Sequence, residues 1–150
     1  MSSQRFNFRA AVYLVLIEKD KVLLSRRFNT GWMDGMYTLP AGHVDGNETL
    51  QMAMSREAKE ELDISILPED LSILHMMHKK SDYEYFDFFL EVKKYSGILK
   101  NNEEDKCDEI KFFPLDSLPE NTLEYIKIAL GQIAKGEKFS SLGFSPTKLF

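Results

Sequence analysis

The spacing of hydrophobic and polar residues changes along this chain, and the first segments have the spacing of strands. Residues 9–17, RAAVYLVLI, form a nearly continuous apolar run rich in strand-forming side chains, which predicts a strand buried on both faces. A polar turn separates it from a second predicted strand at residues 21–27, KVLLSRR. The loop NTGWMDG at 29–35 follows, and residues 36–42, MYTLPAG, resume an extended course. Pro40 limits that course to a sheet edge, a bulge or a strand end.

The pattern then changes to a helical period. Apolar residues recur every fourth position, which predicts a helix with one buried stripe consisting of Leu50, Met54, Ala58 and Leu62. Thr49 or Asn47 is the expected N-cap, since both side chains can accept a hydrogen bond from the first turn. Pro68 prevents the helix from continuing.

The second half of the chain predicts three more strands and one more helix. The segments, in order, are strands at 74–79 and 83–92 joined through Ser81-Asp82, an acidic loop within 95–108, a strand at 109–114 and a helix at 121–135. Residues 136–150 show no period. Strands with two well-separated helices predict a mixed-sheet α/β domain with helices on its two faces. We expect one domain over 1–150, with its core at about 8–135 and a C-terminal tail at 136–150.

Composition and charge narrow the class of partner. The 150 residues are 43% hydrophobic and carry a net charge of −5, with no block of Lys or Arg able to neutralise a run of phosphates. A polymeric nucleic-acid partner is therefore not expected. A small anionic ligand is compatible with this net charge, because a metal ion or a few arginines can make one site locally positive. No apolar run is long enough to span a bilayer, and no export signal is visible at the N-terminus. The lone Cys107 fits a reducing, cytoplasmic compartment.

The predicted first helix carries the densest acid cluster of the chain. Glu57, Glu60 and Glu61 fall on one face, because positions i, i+3 and i+4 are neighbours on a helix. Their mutual repulsion favours a cation against that face. A solvated acidic helix is the alternative interpretation, since Arg56–Glu60 and Lys59–Asp63 have the i,i+4 spacing of surface ion pairs.

The spacing around this helix resembles a known signature. Gly42 is followed after five residues by Glu48 and after seven more by residues 56–61, REAKEE, with Ile64 at an aliphatic position. This arrangement resembles the Nudix box, and the resemblance implies an α/β (α+β) fold, a Nudix-like α/β/α sandwich with a mixed β-sheet. Asp63 stands where the family usually has Gly. The family's Gly would end the helix in the left-handed conformation, which Asp tolerates at a cost of about 1 kcal/mol.

The resemblance also implies a metal site. Mg²⁺, with Mn²⁺ as an alternative, would be held by Glu57 and Glu61 as principal ligands, with Glu60 and the Gly42 carbonyl adding to the site. Arg56 would orient the glutamates. The general base would be Glu57 itself or an acid of the loop that contains Glu103, Glu104, Asp105, Asp108 and Glu109. Glu103 is the residue we select.

Substrate contacts are expected from three polar residues. The resemblance implies a nucleotide contact from Arg26 or Arg27 and a base contact from Asn121. Because neighbouring side chains of a strand point to opposite faces, we expect one of the two arginines to reach the site. Asn121 could instead be the N-cap of the second helix.

Two further groups of residues have a less specific pattern. Four aromatic residues could stack on a base or fill the core, and these are Trp32, Tyr37, Phe112 and Phe113. The three histidines, His43, His75 and His78, do not have the spacing of a metal site and receive no role.

The expected activity follows from the family resemblance. It is Mg²⁺-dependent hydrolysis of a pyrophosphate bond in a nucleoside triphosphate, including oxidised nucleotides, that gives a monophosphate and pyrophosphate. ADP-ribose or a nucleotide sugar is the alternative substrate class, and a non-catalytic nucleotide sensor is the alternative of another kind. The partner is a small-molecule nucleotide, no membrane is expected, and the protein would be a monomer or homodimer.

Overall fold

A computed structural model describes residues 3–145 of the chain. The strands of this range are β1 Arg9–Val15, β2 Ile17–Glu18, β3 Lys21–Arg27, β4 Tyr37–Thr38, β5 Ala41–His43, β6 Leu71–Lys80, β7 Glu84–Val92, β8 Cys107–Pro114 and β9 Phe139–Leu142. The α-helices are α1 Leu50–Leu62 and α2 Glu124–Ala134, and a 3₁₀ turn at Pro68–Asp70 leads into β6. None of the helices in the described range is long and apolar enough to cross a membrane.

The strands form two sheets. The larger has the order β5-β1-β7-β6-β9 and is mixed, because β1 runs parallel to β7 and β6 runs parallel to β9 while the other pairs are antiparallel. In the smaller sheet β3 pairs with β2, β4 and β8, all antiparallel. The predicted mixed sheet is confirmed.

Strand β1 divides its alternating side chains between two hydrophobic cores. Val12 and Leu14 lie in one core with Met54 of α1. Tyr13 lies in the other core with Ile126 of α2. Because successive side chains of a strand point to opposite faces, α1 and α2 cover opposite faces of the larger sheet. The predicted α/β/α sandwich is confirmed.

The ends of α1 agree with the sequence. The Thr49 hydroxyl accepts a hydrogen bond from the Met52 amide at 3.1 Å, so Thr49 rather than Asn47 is the N-cap. Asp63 is the C-cap in the left-handed conformation, with φ of 55°. Its carboxylate pairs with Lys59 at 2.8 Å and Lys100 at 3.2 Å. These exposed ion pairs partly offset the conformational cost of a non-glycine residue at this position.

The second helix begins later than predicted, and Asn121 is not its N-cap. The residue before α2 is Leu123, which makes no side-chain cap. The Tyr37 amide donates to the Asn121 carbonyl at 2.8 Å, and the Leu123 amide donates to the Tyr37 carbonyl at 2.9 Å. These bonds hold residues 121–123 against β4 in an extended course, which delays the helix.

The larger sheet also includes a strand within the segment after residue 135. Residues Phe139–Leu142 form β9 and pair with β6. His75 on β6 is 1% exposed, and its ring bonds the Glu137 carbonyl at 2.9 Å and the Ser140 hydroxyl at 2.7 Å. Strand β9 has no visible sequence signal because it is four residues long and lies at a sheet edge, where half of its side chains are exposed.

Candidate active site

An open cleft of about 1220 Å³ lies beside the acidic face of α1. All of the predicted site residues except Arg56 and Asn121 line it, and these are Arg26, Arg27, Gly42, Glu57, Glu60, Glu61 and Glu103. The fold therefore gathers residues from β3, β5, α1 and the loop before β8 into one concave surface.

Glu61 is the most deeply placed acid of the cleft. One carboxylate oxygen accepts a hydrogen bond from the Ala41 amide at 3.1 Å. Burial raises the pKa of Glu61 well above its ordinary value, and the nearby charges of Glu57 and Glu103 raise it further. A cation in this position would stabilise the charged form that burial disfavours.

Glu57 lies directly against Gly42. A Cβ atom at Gly42 would overlap the Glu57 carboxyl group, so Glu57 can keep this position only beside a glycine. Burial raises the pKa of Glu57, a hydrogen bond from Arg56 opposes that shift, and Glu60 raises the pKa again. The result is a pair of partly desolvated carboxylates one helical turn apart.

Arg56 connects the glutamates to the loop before α1. Its guanidinium donates to both oxygens of Glu48 at 2.7 and 3.2 Å, to Glu57 at 2.7 Å and to the His43 carbonyl at 3.1 Å. The hydrogen bond from Arg56 is the main cause of the lowered pKa of Glu48. Arg56 is not among the residues that line the cleft, which fits a residue that orients glutamates rather than one that touches substrate.

The solvated-helix interpretation accounts for part of this arrangement. Arg56 lies 3.6 Å from Glu60, and Lys59 lies 2.8 Å from Asp63, so both expected i,i+4 pairs form. However, the Glu57 side chain is only 12% exposed, against 51% for Glu60. Solvated ion pairs do not explain why Glu57 and Glu61 are desolvated side by side.

The loop before β8 docks on the end of α1 and brings Glu103 to the cleft. The Asn102 amide donates to the Glu61 carbonyl at 2.8 Å, and the Asn102 side chain donates to the Glu60 carbonyl at 3.1 Å. The Lys100 amide donates to the Leu62 carbonyl at 3.1 Å. These donors satisfy carbonyls that a helix end leaves free. The charge of Glu103 consequently contributes to the raised pKa values of Glu57 and Glu61.

Asn102 is a site-organising residue that the sequence analysis missed. A polar loop is expected to donate to free helix carbonyls, but nothing in the spacing indicates which loop residue does so. The contact joins residues more than 40 positions apart.

The donor set of the cleft fits a hard divalent cation. All candidate ligands are oxygen atoms, from Glu57, Glu60, Glu61 and the Gly42 carbonyl, and glycine leaves the space in which Glu57 approaches β5. Within residues 3–145, no three side chains of His, Cys, Asp or Glu are grouped closely enough to hold a metal ion by themselves. Mg²⁺ usually takes one or two carboxylates and completes its shell with water and substrate oxygens, so such a group is not required.

Both arginines of β3 reach the cleft, contrary to the expectation that only one would. The pairing of β3 with β8 shifts register between Arg26 and Arg27. The extra residue of this bulge is Asp108 on β8, because Arg26 pairs with Glu109 and Arg27 with Cys107. Arg26 pairs with Asp108 at 2.7 Å and lies 3.7 Å from Glu109.

Arg27 has neutral partners instead of acids. It donates to the Trp32 carbonyl at 2.8 Å and to the Thr30 hydroxyl at 2.9 Å, and its guanidinium lies 4.9 Å from the centroid of the Trp32 ring. The ion pairs formed within the described range include none for Arg27. Its positive charge is therefore available to an anionic ligand.

The remaining candidate residues lie in different environments. Trp32 is half exposed and lines the cleft, whereas Tyr37 is buried with its ring edge against Phe113. Asn121 is not among the cleft residues, and its amide donates to the Gly35 carbonyl at 2.8 Å. In this arrangement Asn121 fixes the end of the loop that carries Trp32.

These features define the class of protein: an α/β/α sandwich whose first helix presents glutamates to a cleft that also contains an available arginine. The sequence matches the NUDIX domain over residues 7–130. The chain belongs to the NUDIX family.

Similar proteins include enzymes that are named for different substrates. An ADP-ribose pyrophosphatase from Methanocaldococcus jannaschii is 34% identical over 119 residues, which are 75% of this chain and 66% of that protein. The 8-oxo-dGDP phosphatase NUDT18 from Homo sapiens is 32% identical over 106 residues, which are 69% of this chain and 31% of that protein. The chain thus spans less than two thirds of the length of either relative.

A solved structure has the same fold. The MutT NUDIX hydrolase from Burkholderia pseudomallei superposes with a TM-score of 0.76 at 25% identity, covering 84% of this chain and 98% of that one.

Proposed function

We propose that this protein is a hydrolase that cleaves a pyrophosphate bond in a nucleoside triphosphate or a related nucleoside diphosphate derivative, with the help of a divalent cation. The observation that carries the proposal is the desolvated pair Glu57 and Glu61, with Glu103 beside it, in a cleft that also contains Arg27. Clustered buried acids together with an available arginine fit a ligand that combines a cation with phosphate.

Glu57 and Glu61, assisted by Glu60 and the Gly42 carbonyl, would hold Mg²⁺ or Mn²⁺. When bound, the cation would offset the charge of the pyrophosphate group and lower the pKa of a coordinated water. Arg56 keeps Glu57 oriented through its hydrogen bonds. Arg27 would bind a phosphate oxygen, since a guanidinium presents several N–H groups to such a ligand.

The reaction needs a proton acceptor near the attacking water, and Glu103 would fill that role. The water oxygen forms a bond to phosphorus, its proton passes to the Glu103 carboxylate, and the bond from that phosphorus to the bridging oxygen breaks. For a triphosphate the products are a nucleoside monophosphate and pyrophosphate. The lone thiol of Cys107 supports the proposal that the protein works in a reducing cytoplasm.

ADP-ribose or a nucleotide sugar is the second candidate substrate class. The observation in its favour is the 34% identity to an ADP-ribose pyrophosphatase. The acids described above would act in the same way on either class, because both contain the pyrophosphate bond that is cleaved.

A panel of nucleoside triphosphates, oxidised triphosphates, ADP-ribose and nucleotide sugars, assayed with Mg²⁺ for released phosphate or pyrophosphate, tests the proposal. We expect turnover of at least one class, and Glu61→Gln should reduce it by about 100-fold or more because a charged ligand is lost. Glu104→Gln is the matched control, since Glu104 is an exposed acid of the neighbouring loop that does not line the cleft. No turnover of any substrate, or full activity of Glu61→Gln, contradicts the proposal.

A further inference from the structure

One end of the cleft contains a lysine surrounded by tyrosines, which the proposed chemistry does not use. The ammonium of Lys79 on β6 lies 3.6 Å from the centroid of the Tyr125 ring, 5.2 Å from that of Tyr85 and 6.0 Å from that of Tyr13. All four residues line the cleft. We call the three rings of Tyr13, Tyr85 and Tyr125 the tyrosine cage.

The buried carboxylate of Asp87 neutralises the charge of Lys79. Its ammonium lies 2.7 Å from a carboxylate oxygen of Asp87, whose side chain is fully buried. Lysine and aspartate together carry no net charge, so this end of the cleft attracts a phosphate group much less than Arg27 does. The aromatic walls and the neutral ion pair instead suit a flat, uncharged part of a ligand.

Lys79 also retains hydrogen-bonding capacity. An ammonium has three N–H donors, and among residues 3–145 Asp87 is the one carboxylate with which Lys79 forms an ion pair. The cation–π contact with Tyr125 takes up a second direction of the ammonium, so one donor remains for a ligand. A group that presents an acceptor rather than a donor to the ammonium would fit this arrangement best.

We infer that Lys79 and the tyrosine cage form the subsite for the nucleobase, and that Lys79 selects purines with a carbonyl at position 6. Such a purine presents its N7 and O6 atoms as two adjacent acceptors, whereas adenine replaces O6 with an amino donor. An amino group facing the ammonium would leave the remaining donor unpaired in a partly desolvated site, which is costly. The inference rests on the proposed function for the identity of the ligand as a nucleotide.

Binding of non-hydrolysable α,β-methylene analogues of GTP and ATP, measured by calorimetry with Mg²⁺, tests the inference without depending on turnover. Inorganic pyrophosphate serves as a third probe, which reports on the phosphate end alone. The test variant is Lys79→Met combined with Asp87→Leu, because replacing both members of a buried ion pair by apolar residues often leaves stability unchanged. Lys80→Met is the matched control, since Lys80 is exposed and does not line the cleft.

The wild-type protein and Lys80→Met should bind the guanine analogue roughly tenfold or more tightly than the adenine analogue, as expected for the loss of a charge-assisted hydrogen bond. The double variant should reduce this ratio below about threefold and leave pyrophosphate binding unchanged. If the double variant does not fold, Lys79→Gln, which keeps a neutral donor, should give a ratio between these values.

Equal affinity of the wild-type protein for the two analogues, or a preference for adenine, would overturn the inference. So would an unchanged ratio in the variants. Equal weakening of all three probes would identify Lys79 as a phosphate contact and would also overturn it. Absence of turnover on the substrate panel, by contrast, contradicts the proposed hydrolase function and leaves the measured binding ratio to decide the role of Lys79.

Discussion

At the scale of single residues, the site depends on carboxylates that are desolvated to different degrees. Glu60 remains half exposed, Glu57 is mostly covered, and the burial of Glu61 raises its pKa furthest from its ordinary value. Three glutamates on one helix face therefore differ in how far they are removed from solvent. The difference arises from Gly42 and Ala41 of β5, which approach Glu57 and Glu61 and exclude water from them.

Gly42→Ala should reduce kcat/KM by about 100-fold, because a methyl group would displace the Glu57 carboxyl by about 1 Å or more. Gly46→Ala is the matched control, since a Cβ atom there meets no other atom within 4 Å. Steady-state kinetics of both variants with Mg²⁺ measure the effect. Similar activity in the two variants would mean that the close contact of Gly42 with Glu57 is not needed for turnover.

At the scale of elements, strand β9 is attached to the larger sheet both by backbone pairing with β6 and by the buried side chain of His75. The Glu137 carbonyl can only accept a hydrogen bond, so in the neutral ring His75 donates from Nδ1 and its Nε2 accepts from the Ser140 hydroxyl. Parallel pairing with β6 supplies the backbone bonds, and His75 attaches β9 by its side chain. The strand therefore stabilises the side of the sheet that carries Lys79.

Ser140→Ala should lower the free energy of unfolding by about 1–3 kcal/mol, since it leaves the buried Nε2 atom of His75 without a partner. Ser141→Ala, at an exposed position of the same strand, should change it by less than about 0.5 kcal/mol. Urea denaturation of the two variants and the wild-type protein provides the comparison. Equal stabilities would show that the hydrogen bond between Ser140 and His75 is not an important contact.

At the scale of the whole molecule, the part of the cleft beside α1 concentrates negative charge in a protein with a net charge of −5. After burial itself, the charges of Glu57 and Glu103 raise the pKa of Glu61, and those of Glu60 and Glu103 raise the pKa of Glu57. A bound cation would relieve this repulsion only in the folded state, because unfolding separates these acids. Cation binding and folding stability are therefore coupled.

Mg²⁺ at ten times its dissociation constant should stabilise the folded protein by about 1.4 kcal/mol, which corresponds to a rise in Tm of a few degrees. The double variant Glu57→Gln/Glu61→Gln should show no such rise in Tm when Mg²⁺ is added. Without Mg²⁺, its Tm should equal or exceed that of the wild-type protein, because two mutually repelling buried charges are gone. Thermal denaturation with Mg²⁺, with the same ionic strength of NaCl as control, measures both effects. An equal Mg²⁺ response in the variant would place the cation elsewhere.

The sequence by itself determined those features that depend on neighbours along the chain. The helix period placed Glu57, Glu60 and Glu61 on one face, and Thr49 was one of two expected N-caps. Most strands, the mixed sheet and the two-sided arrangement of helices also followed from local periodicity. Local geometry of this kind is set within a few residues, so it can be obtained from spacing alone.

The tertiary structure alone decided which distant residues meet. Arg26 and Arg27 both line the cleft beside a bulge that exists only in the pairing of β3 with β8, and the start of α2 is delayed by hydrogen bonds to Tyr37. The docking of Asn102 on α1 and the ion pair of Lys79 with Asp87 likewise join segments that no sequence period connects. Such contacts depend on how the sheets and loops pack in three dimensions, where the partner of a side chain is set by proximity rather than by its position along the chain.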